Sequence, residues 1–223
     1  MKPLKPSLTT FMKIASSTDQ GKYSQIKKFM SPGGMDFYKE AKAIIIRIAR
    51  GELTLTQAEK EIAKIKSDSR RKHSLDLVSH FFAWFAGSGL KWAAPPKAEY
   101  VSPSELLKVR LNPELSFLNA SGGRTYLSLW CMTRPKLTDG LAAEGMQCLV
   151  NEVKPGTNDE VGILHVRKNL VYEQGLITPG SQARLMFDLN IVEEIWKDLH
   201  NPKMSRDDVI SHIASFGAVP PAI

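Results

Sequence analysis

Cysteine is scarce in this sequence, and a long apolar run is missing. The two cysteines, Cys131 and Cys148, lie 17 positions apart without a CxxC pair. A disulfide framework uses more cysteines, so we expect reduced thiols in a cytoplasmic protein. A thiol nucleophile with His165 as its base is one hypothesis, but the apolar neighbours of both cysteines favour core positions. The longest apolar stretch, at 80–90, is too short to cross a bilayer, and the N-terminus has no signal-peptide core.

Signatures of common catalytic and cofactor sites are also missing. The sequence contains no GxSxG, no HExxH and no paired CxxC. The stretch GSGLK at 87–91 precedes a Pro-rich segment rather than a helix, unlike a phosphate-binding loop. On one helix, His73 and His80 would lie about 10 Å apart with Asp76 between them, too far to share a metal ion. We therefore predict no cofactor and favour binding over catalysis.

Positive charge is concentrated in the first half of the chain. The net charge is +7, but residues 1–98 carry 18 Lys and Arg against 8 Asp and Glu. Residues 99–223 carry 12 against 15. A basic half predicts an acidic partner: nucleic acid, an anionic membrane surface or an acidic protein. DNA or RNA is the leading case, and the missing apolar span predicts no membrane partner. The alternative is that the charge serves only solubility or attraction between the two halves.

The first half has the apolar periodicity of helices. Gly51 ends a helix that Asp36 can cap, and a second helix is predicted from a capping box of Thr56 and Glu59. A third helix is predicted over 71–86, and one or two shorter ones within 7–30. Two glycines and a Pro-Pro pair then mark a joint. We therefore predict a basic helical unit at 1–90 and a linker at 91–100.

The second half, 101–223, alternates strands with helices. LLKVRLN has the period of a half-buried strand, and Gly122-Gly123 separates two strands of a hairpin. A helix capped by Thr138 and a further strand pair follow, and Ser181 caps a long helix. The predicted order is β-β-β-α-β-β-α. The expected fold is α+β: a helical N-terminal unit followed by an antiparallel sheet with helices packed on one face.

Several short motifs resemble those of a family of bacterial proteins to which no activity is assigned. The pattern is WF at 84–85, then PP, LKVRLNPEL, a Gly-bearing turn and YLSLW, and it extends to MSPGGMDFY upstream and VGILHVRKNLVY downstream. The similarity covers about two-thirds of the chain. It implies a bacterial protein of α+β form, and it supplies no catalytic residue.

One arrangement of charged residues suggests an enzyme. Asp139 followed by Glu152-Val153-Lys154 matches the pattern of a Mg²⁺-dependent PD-(D/E)xK nuclease, in which two carboxylates hold the metal. That chemistry needs the residues on adjacent strands, whereas 138–154 has the pattern of one helix. A helix would hold Asp139 and Glu152 about 20 Å apart. The nuclease is thus the enzymatic alternative.

The leading hypothesis places a nucleic-acid contact on the basic N-terminal face. The run at 70–72, Arg70-Arg71-Lys72, lies at the start of a helix. It either contacts the phosphates of a nucleic acid or is only the solvated start of that helix. No aromatic residue interleaves this run, so base stacking is not predicted there. The candidate nucleic-acid-binding residues are Lys39, Lys42, Arg47, Arg50, Lys64, Lys66, Arg70, Arg71 and Lys72. Under this hypothesis the α+β unit mediates self-association or docking to another protein. A third hypothesis is a purely protein-interaction module in which the charge serves only solubility.

Overall fold

The computed structural model describes residues 1–30, 36–201 and 203–217. In this part of the chain the helices are α1 (Leu8–Ala15), α2 (Asp19–Lys27), α3 (Lys39–Ala49), α4 (Leu55–Ala63), α5 (Asp68–Phe85), α6 (Asp139–Val153), α7 (Pro179–Leu199) and α8 (Arg206–Gly217). The strands are β1 (Lys91–Trp92), β2 (Ala98–Val101), β3 (Lys108–Leu111), β4 (Leu115–Leu118), β5 (Arg124–Trp130), β6 (Glu160–His165) and β7 (Leu170–Glu173). The Pro32-Gly33-Gly34 stretch, which indicates a helix break in the sequence, and the apolar residues from 218 onward lie outside the described residues.

Local sequence signals fix several element ends. The Thr138 hydroxyl accepts the Leu141 N–H at 3.3 Å, so the predicted cap of α6 is confirmed. Gly122 takes φ 81° in the β4–β5 hairpin, a conformation that favours glycine.

The capping box of α4 differs from the predicted one. It joins Thr54 to Gln57, two residues before the predicted Thr56 and Glu59. The earlier start places Leu53 before the cap and Ala58 four positions into the helix, and both are buried in one cluster. Burial of apolar residues on both sides of the cap favours the first of the two possible boxes.

The α+β class is confirmed, but the sheet is mixed rather than wholly antiparallel. Five strands lie in the order β1-β4-β5-β6-β7, and β2 pairs with β3 in a separate ribbon. β6 runs parallel to β5, with α6 as the crossover between them, while the other neighbours are antiparallel. A parallel pair needs such a long connection, which α6 supplies.

Helices cover both faces of the sheet, not one face as predicted. On β5, Tyr126 and Trp130 belong to one buried cluster, with residues of α1, α2, α6, α7 and α8. Leu127 and Leu129 alternate with them and pack in a second cluster with α3, α4 and α5. Because this strand is apolar on both sides, it needs a helical layer on each.

The helices of residues 1–90 are divided between these two layers. Phe11 of α1 and Ile26 of α2 lie in the first cluster, whereas Ile45 of α3 and Phe81 of α5 lie in the second. The predicted linker at 91–100 contains β1 and most of β2. The chain around the predicted joint is therefore built into the two sheets.

The first residues of the chain lie along β3. The Leu4 N–H donates to the Leu106 carbonyl, and the Lys108 N–H donates to the Leu4 carbonyl, both at 2.9 Å. Leu4 is buried. This contact sets α1 beside the β2–β3 ribbon.

None of the helices in the described residues combines the length and hydropathy needed to cross a membrane.

Candidate nucleic-acid interface

A groove with a cavity volume of about 500 Å³ runs between α1, the end of α2, the residues before α3, and β3. We call it the cationic groove. Among the described residues, three basic side chains line it, Lys13, Lys28 and Arg110, together with the carboxylate of Asp36. The remaining lining residues are Pro6, Ser7, Thr10, Ile14, Gln25, Phe29, Phe37, Tyr38 and Met132.

The pleat of β3 turns Arg110 outward. Val109 and Leu111 on either side of it are fully buried, so the arginine side chain points to the opposite face. The Arg110 N–H donates to the Pro6 carbonyl at 2.9 Å, which holds this strand beside the start of α1. The apolar alternation of the sequence therefore positions one cation of the groove.

The two lysines come from helical segments whose other faces are buried. Lys13 lies between buried Met12 and Ile14 on α1 and is itself half-buried. Lys28 follows the last residue of α2 and is exposed. Within residues 1–30, 36–201 and 203–217, neither lysine nor Arg110 forms an ion pair. These three cations are thus available to an anionic ligand.

Aromatic rings share the groove with the cations. Phe29 is 40% exposed and Phe37 is 37% exposed. Phe37 precedes α3, which begins at Lys39. Its ring packs edge-on against Tyr38 and His73, with centroids 5.1 Å and 5.4 Å away. The neighbouring rings therefore orient Phe37 while leaving part of it open to solvent.

A smaller polar pocket of about 240 Å³ adjoins this groove. Ser7, Asp36 and Arg110 line both, and Lys42 and Glu114 lie in the pocket wall. The pocket thus extends the groove towards the central sheet with groups that form hydrogen bonds.

The ion pair in that wall is mostly shielded from water. Lys42 Nζ donates to Glu114 Oε1 at 2.8 Å, and the other carboxylate oxygen accepts the Leu129 N–H at 2.9 Å. Burial disfavours the charged lysine, but the Glu114 carboxylate outweighs this and raises the pKa of Lys42 above its ordinary value. Lys42 therefore remains charged at neutral pH.

Most of the predicted basic residues at 39–72 have acidic partners. Arg70 pairs with Glu40 at 2.9 Å, and Arg71 pairs with Asp68. Arg47 pairs with Glu61 at 2.5 Å. Arg50 contacts Glu52 and lies 5.1 Å from the centre of the Trp92 ring. Lys42 is held by Glu114, as described above.

Four of the predicted lysines remain on the surface. They are Lys39, Lys64, Lys66 and Lys72, and all four are exposed and form no ion pair within the described ranges. The predicted run therefore presents less free charge than the sequence indicates.

The three residues of the nuclease hypothesis lie on one helix and do not converge. Asp139 stands in the first turn of α6, Glu152 lies at its end, and Lys154 is the C-terminal cap. Thirteen residues of helix separate the two carboxylates by about 20 Å. Among the described residues, no three His, Cys, Asp or Glu side chains come close enough to hold a metal ion.

The two cysteines lie on opposite faces of the sheet. Burial raises the pKa of the Cys131 thiol to about 12 and also raises that of Cys148. Each packs in a different buried cluster, Cys131 beside α3–α5 and Cys148 on α6. A thiol that is buried and protonated at neutral pH is a poor nucleophile.

An arginine side chain contacts His73 and Asp76, two members of the histidine cluster on α5. Asp76 pairs with Arg167, and the Asp76–His80 separation is 3.6 Å. Arg167 also approaches His73 Nδ1 at 3.3 Å. This arginine links α5 to the end of β6, so the cluster has a structural role.

Sequence reasoning missed the residues that line the cationic groove. Lys13, Lys28 and Arg110 belong to three separate segments, and no run of charge marks them. The outward position of Arg110 was readable from the LKVRLN alternation. For Phe29 and Phe37, the adjacent Pro-Gly-Gly break was a sign that helical periodicity does not extend to them.

Comparison with known proteins adds no family to this description. A scan of protein-family models matches none of them, and a search of curated proteins returns no match.

Proposed function

We propose that this protein is a non-catalytic binding protein whose basic N-terminal face contacts nucleic acid through the cationic groove. The observation that carries the proposal is the convergence of Lys13, Lys28 and Arg110 on one groove without acidic partners in the described chain. Cations in such an arrangement attract phosphates regardless of sequence, and binding releases the counterions around the nucleic acid.

The groove is a better candidate than the run at 64–72. Arg70 and Arg71 already have carboxylate partners that neutralise them. Arg71 also donates to the Ile65 carbonyl at 3.1 Å, which ties it to the turn before α5. Drawing either arginine onto a phosphate would break these contacts, whereas the groove cations form no ion pair with the described residues.

The salt dependence of binding tests the proposal. Fluorescence anisotropy with labelled single-stranded DNA, duplex DNA and RNA would be measured at about 50 mM and about 200 mM salt. Three phosphate contacts give a log–log slope near 2 for single strands, so binding should weaken roughly tenfold to twentyfold over this range. The double reversal Lys28→Glu with Arg110→Glu should abolish binding at the higher salt.

The matched control reverses two exposed lysines of the predicted run, Lys64→Glu with Lys66→Glu. Both double variants change the net charge equally, so a difference between them reports position rather than total charge. Loss of binding only in the groove variant supports the proposal. Equal loss in both, loss only in the control, or no binding by the wild-type protein would overturn it.

A further inference from the structure

The cationic groove places exposed aromatic rings beside its cations, and this combination bears on the form of the nucleic acid. Phe29 and Phe37 are 40% and 37% exposed, and both line the groove with Lys13, Lys28 and Arg110. Exposed apolar side chains are ordinary when they are scattered singly. Two rings in one groove with unpaired cations instead match the composition of sites that bind single strands.

Whether the bases are paired decides which form of nucleic acid can stack on these rings. In a duplex the faces of the bases are stacked on one another, and only their edges are accessible in the grooves. Unpaired bases expose their faces and stack on aromatic side chains with little sequence preference. Phosphate contacts are available from either form, so they do not select a single strand, whereas the rings favour one.

The size of the groove sets how many nucleotides it can hold. Its volume of about 500 Å³ lies within the roughly 300–1,000 Å³ typical of sites for drug-sized ligands. A site of that size holds about one or two nucleotides.

We infer, on the basis of the proposed function, that the groove selects single-stranded nucleic acid by stacking one or two unpaired bases on Phe29 and Phe37. Lys13, Lys28 and Arg110 then neutralise the flanking phosphates. The packing of Phe37 against Tyr38 and His73 orients its ring before the ligand arrives, which limits the entropy lost on binding. The orientation of this ring therefore precedes binding rather than resulting from it.

The test separates base stacking from phosphate attraction. Anisotropy would compare three probes of equal phosphate number: oligo-dT, the same backbone made of abasic sites, and a hairpin duplex. Each stacked base strengthens binding roughly 5- to 150-fold, so oligo-dT should bind at least fivefold more tightly than the other two probes. The salt slope should be the same for oligo-dT and the abasic strand.

Substitutions of the two rings show whether Phe29 and Phe37 cause the preference for oligo-dT. Phe29→Leu and Phe37→Leu keep an apolar side chain but remove the aromatic face, so each should reduce the preference for oligo-dT without altering abasic binding. Leu118→Ala provides a control at a side chain that is 47% exposed and does not line the groove. Circular dichroism melting of every variant checks the fold.

Each outcome has a distinct meaning. If oligo-dT and the abasic strand bind equally, or if the Leu variants keep the full preference, stacking is overturned while phosphate binding stands. If none of the probes binds at low salt, the proposed function itself fails. Tight oligo-dT binding that both Leu variants lose supports the inference.

Discussion

Glu144 is a carboxyl group buried among charged neighbours from two other helices. It lies on α6 and is 2% exposed, and Asp188 on α7 is 8% exposed. Lys22 on α2 lies 3.8 Å from Asp188. Burial and the Asp188 carboxyl raise the pKa of Glu144 to about 8, although Arg184 and Lys22 oppose this. The pKa of Asp188 is also raised by burial.

A raised pKa in the folded state makes stability depend on pH. The folded protein binds a proton at Glu144 more tightly than the unfolded chain, whose pKa is near the ordinary value. The resulting stabilisation is complete at low pH and is lost as the pH rises through about 8. We therefore expect the free energy of unfolding to fall between about pH 5.5 and about pH 8.5.

The variant Glu144→Gln should remove most of this pH dependence, because its amide stays neutral. Urea unfolding at the two pH values measures the change. The control Glu99→Gln replaces an exposed carboxylate on β2 and should leave the dependence unaltered. Equal pH dependence in Glu144→Gln and the wild type would contradict the assignment.

At the scale of elements, one ion pair joins α3 to the start of β4. Lys42 and Glu114 keep only 13% and 19% of their side chains exposed. Removing one partner leaves an uncompensated charge with little access to water. Lys42→Met should therefore lower the free energy of unfolding by about 3 kcal/mol, at the lower end of the range for buried pairs.

A double-mutant cycle checks that the cost comes from the unpaired charge. Adding Glu114→Gln to Lys42→Met removes the orphan carboxylate, so the double variant should recover part of the lost stability. Denaturant unfolding of the two single variants and the double variant gives the coupling energy. A double variant as unstable as the sum of the two single losses would show that the charges do not interact.

Element positions were largely predictable from local patterns, while their partners were not. Thr138 capped α6 as expected, and the alternation around Val109 and Leu111 gave β3. The parallel pairing of β6 with β5 was missed because apolar patterns do not specify strand direction. Both sides of β5 are buried, so each needs a covering layer of helices. The sequence RTYLSLW indicates this, because its apolar residues fall on both sides of the strand.

The candidate site was less predictable because it assembles distant segments. Lys13 and Arg110 are 97 positions apart in the sequence and are brought together by the contact of the first residues with β3. Arg70 and Arg71 were conspicuous as neighbours, but their acidic partners came from α3 and from their own helix turn. Charge runs show where cations are, whereas folding decides which of them remain unpaired.

At the scale of the whole molecule, the two helical layers depend on the same sheet. α1 and α2 bury Phe11 and Ile26 on one face, and α3–α5 bury Ile45 and Phe81 on the other. We therefore expect the isolated fragment 1–90 to lack a cooperative fold, because both of its apolar surfaces would face water.

Circular dichroism and one-dimensional NMR of that fragment test this expectation. The full chain should give a sigmoidal thermal transition and dispersed methyl signals, and fragment 1–90 should give neither. A sharp melting transition in the fragment would instead identify residues 1–90 as an independent domain.

The two clusters also divide the four tryptophans evenly. Trp84 and Trp92 lie near the Phe117 ring on the α3–α5 face, with ring centroids 6.3 Å and 6.2 Å away. Trp130 and Trp196 belong to the opposite cluster. Intrinsic emission thus has one pair of reporters in each layer. If either pair is replaced by phenylalanine, the remaining two tryptophans report on one layer alone. Their fluorescence during unfolding then shows which layer unfolds first.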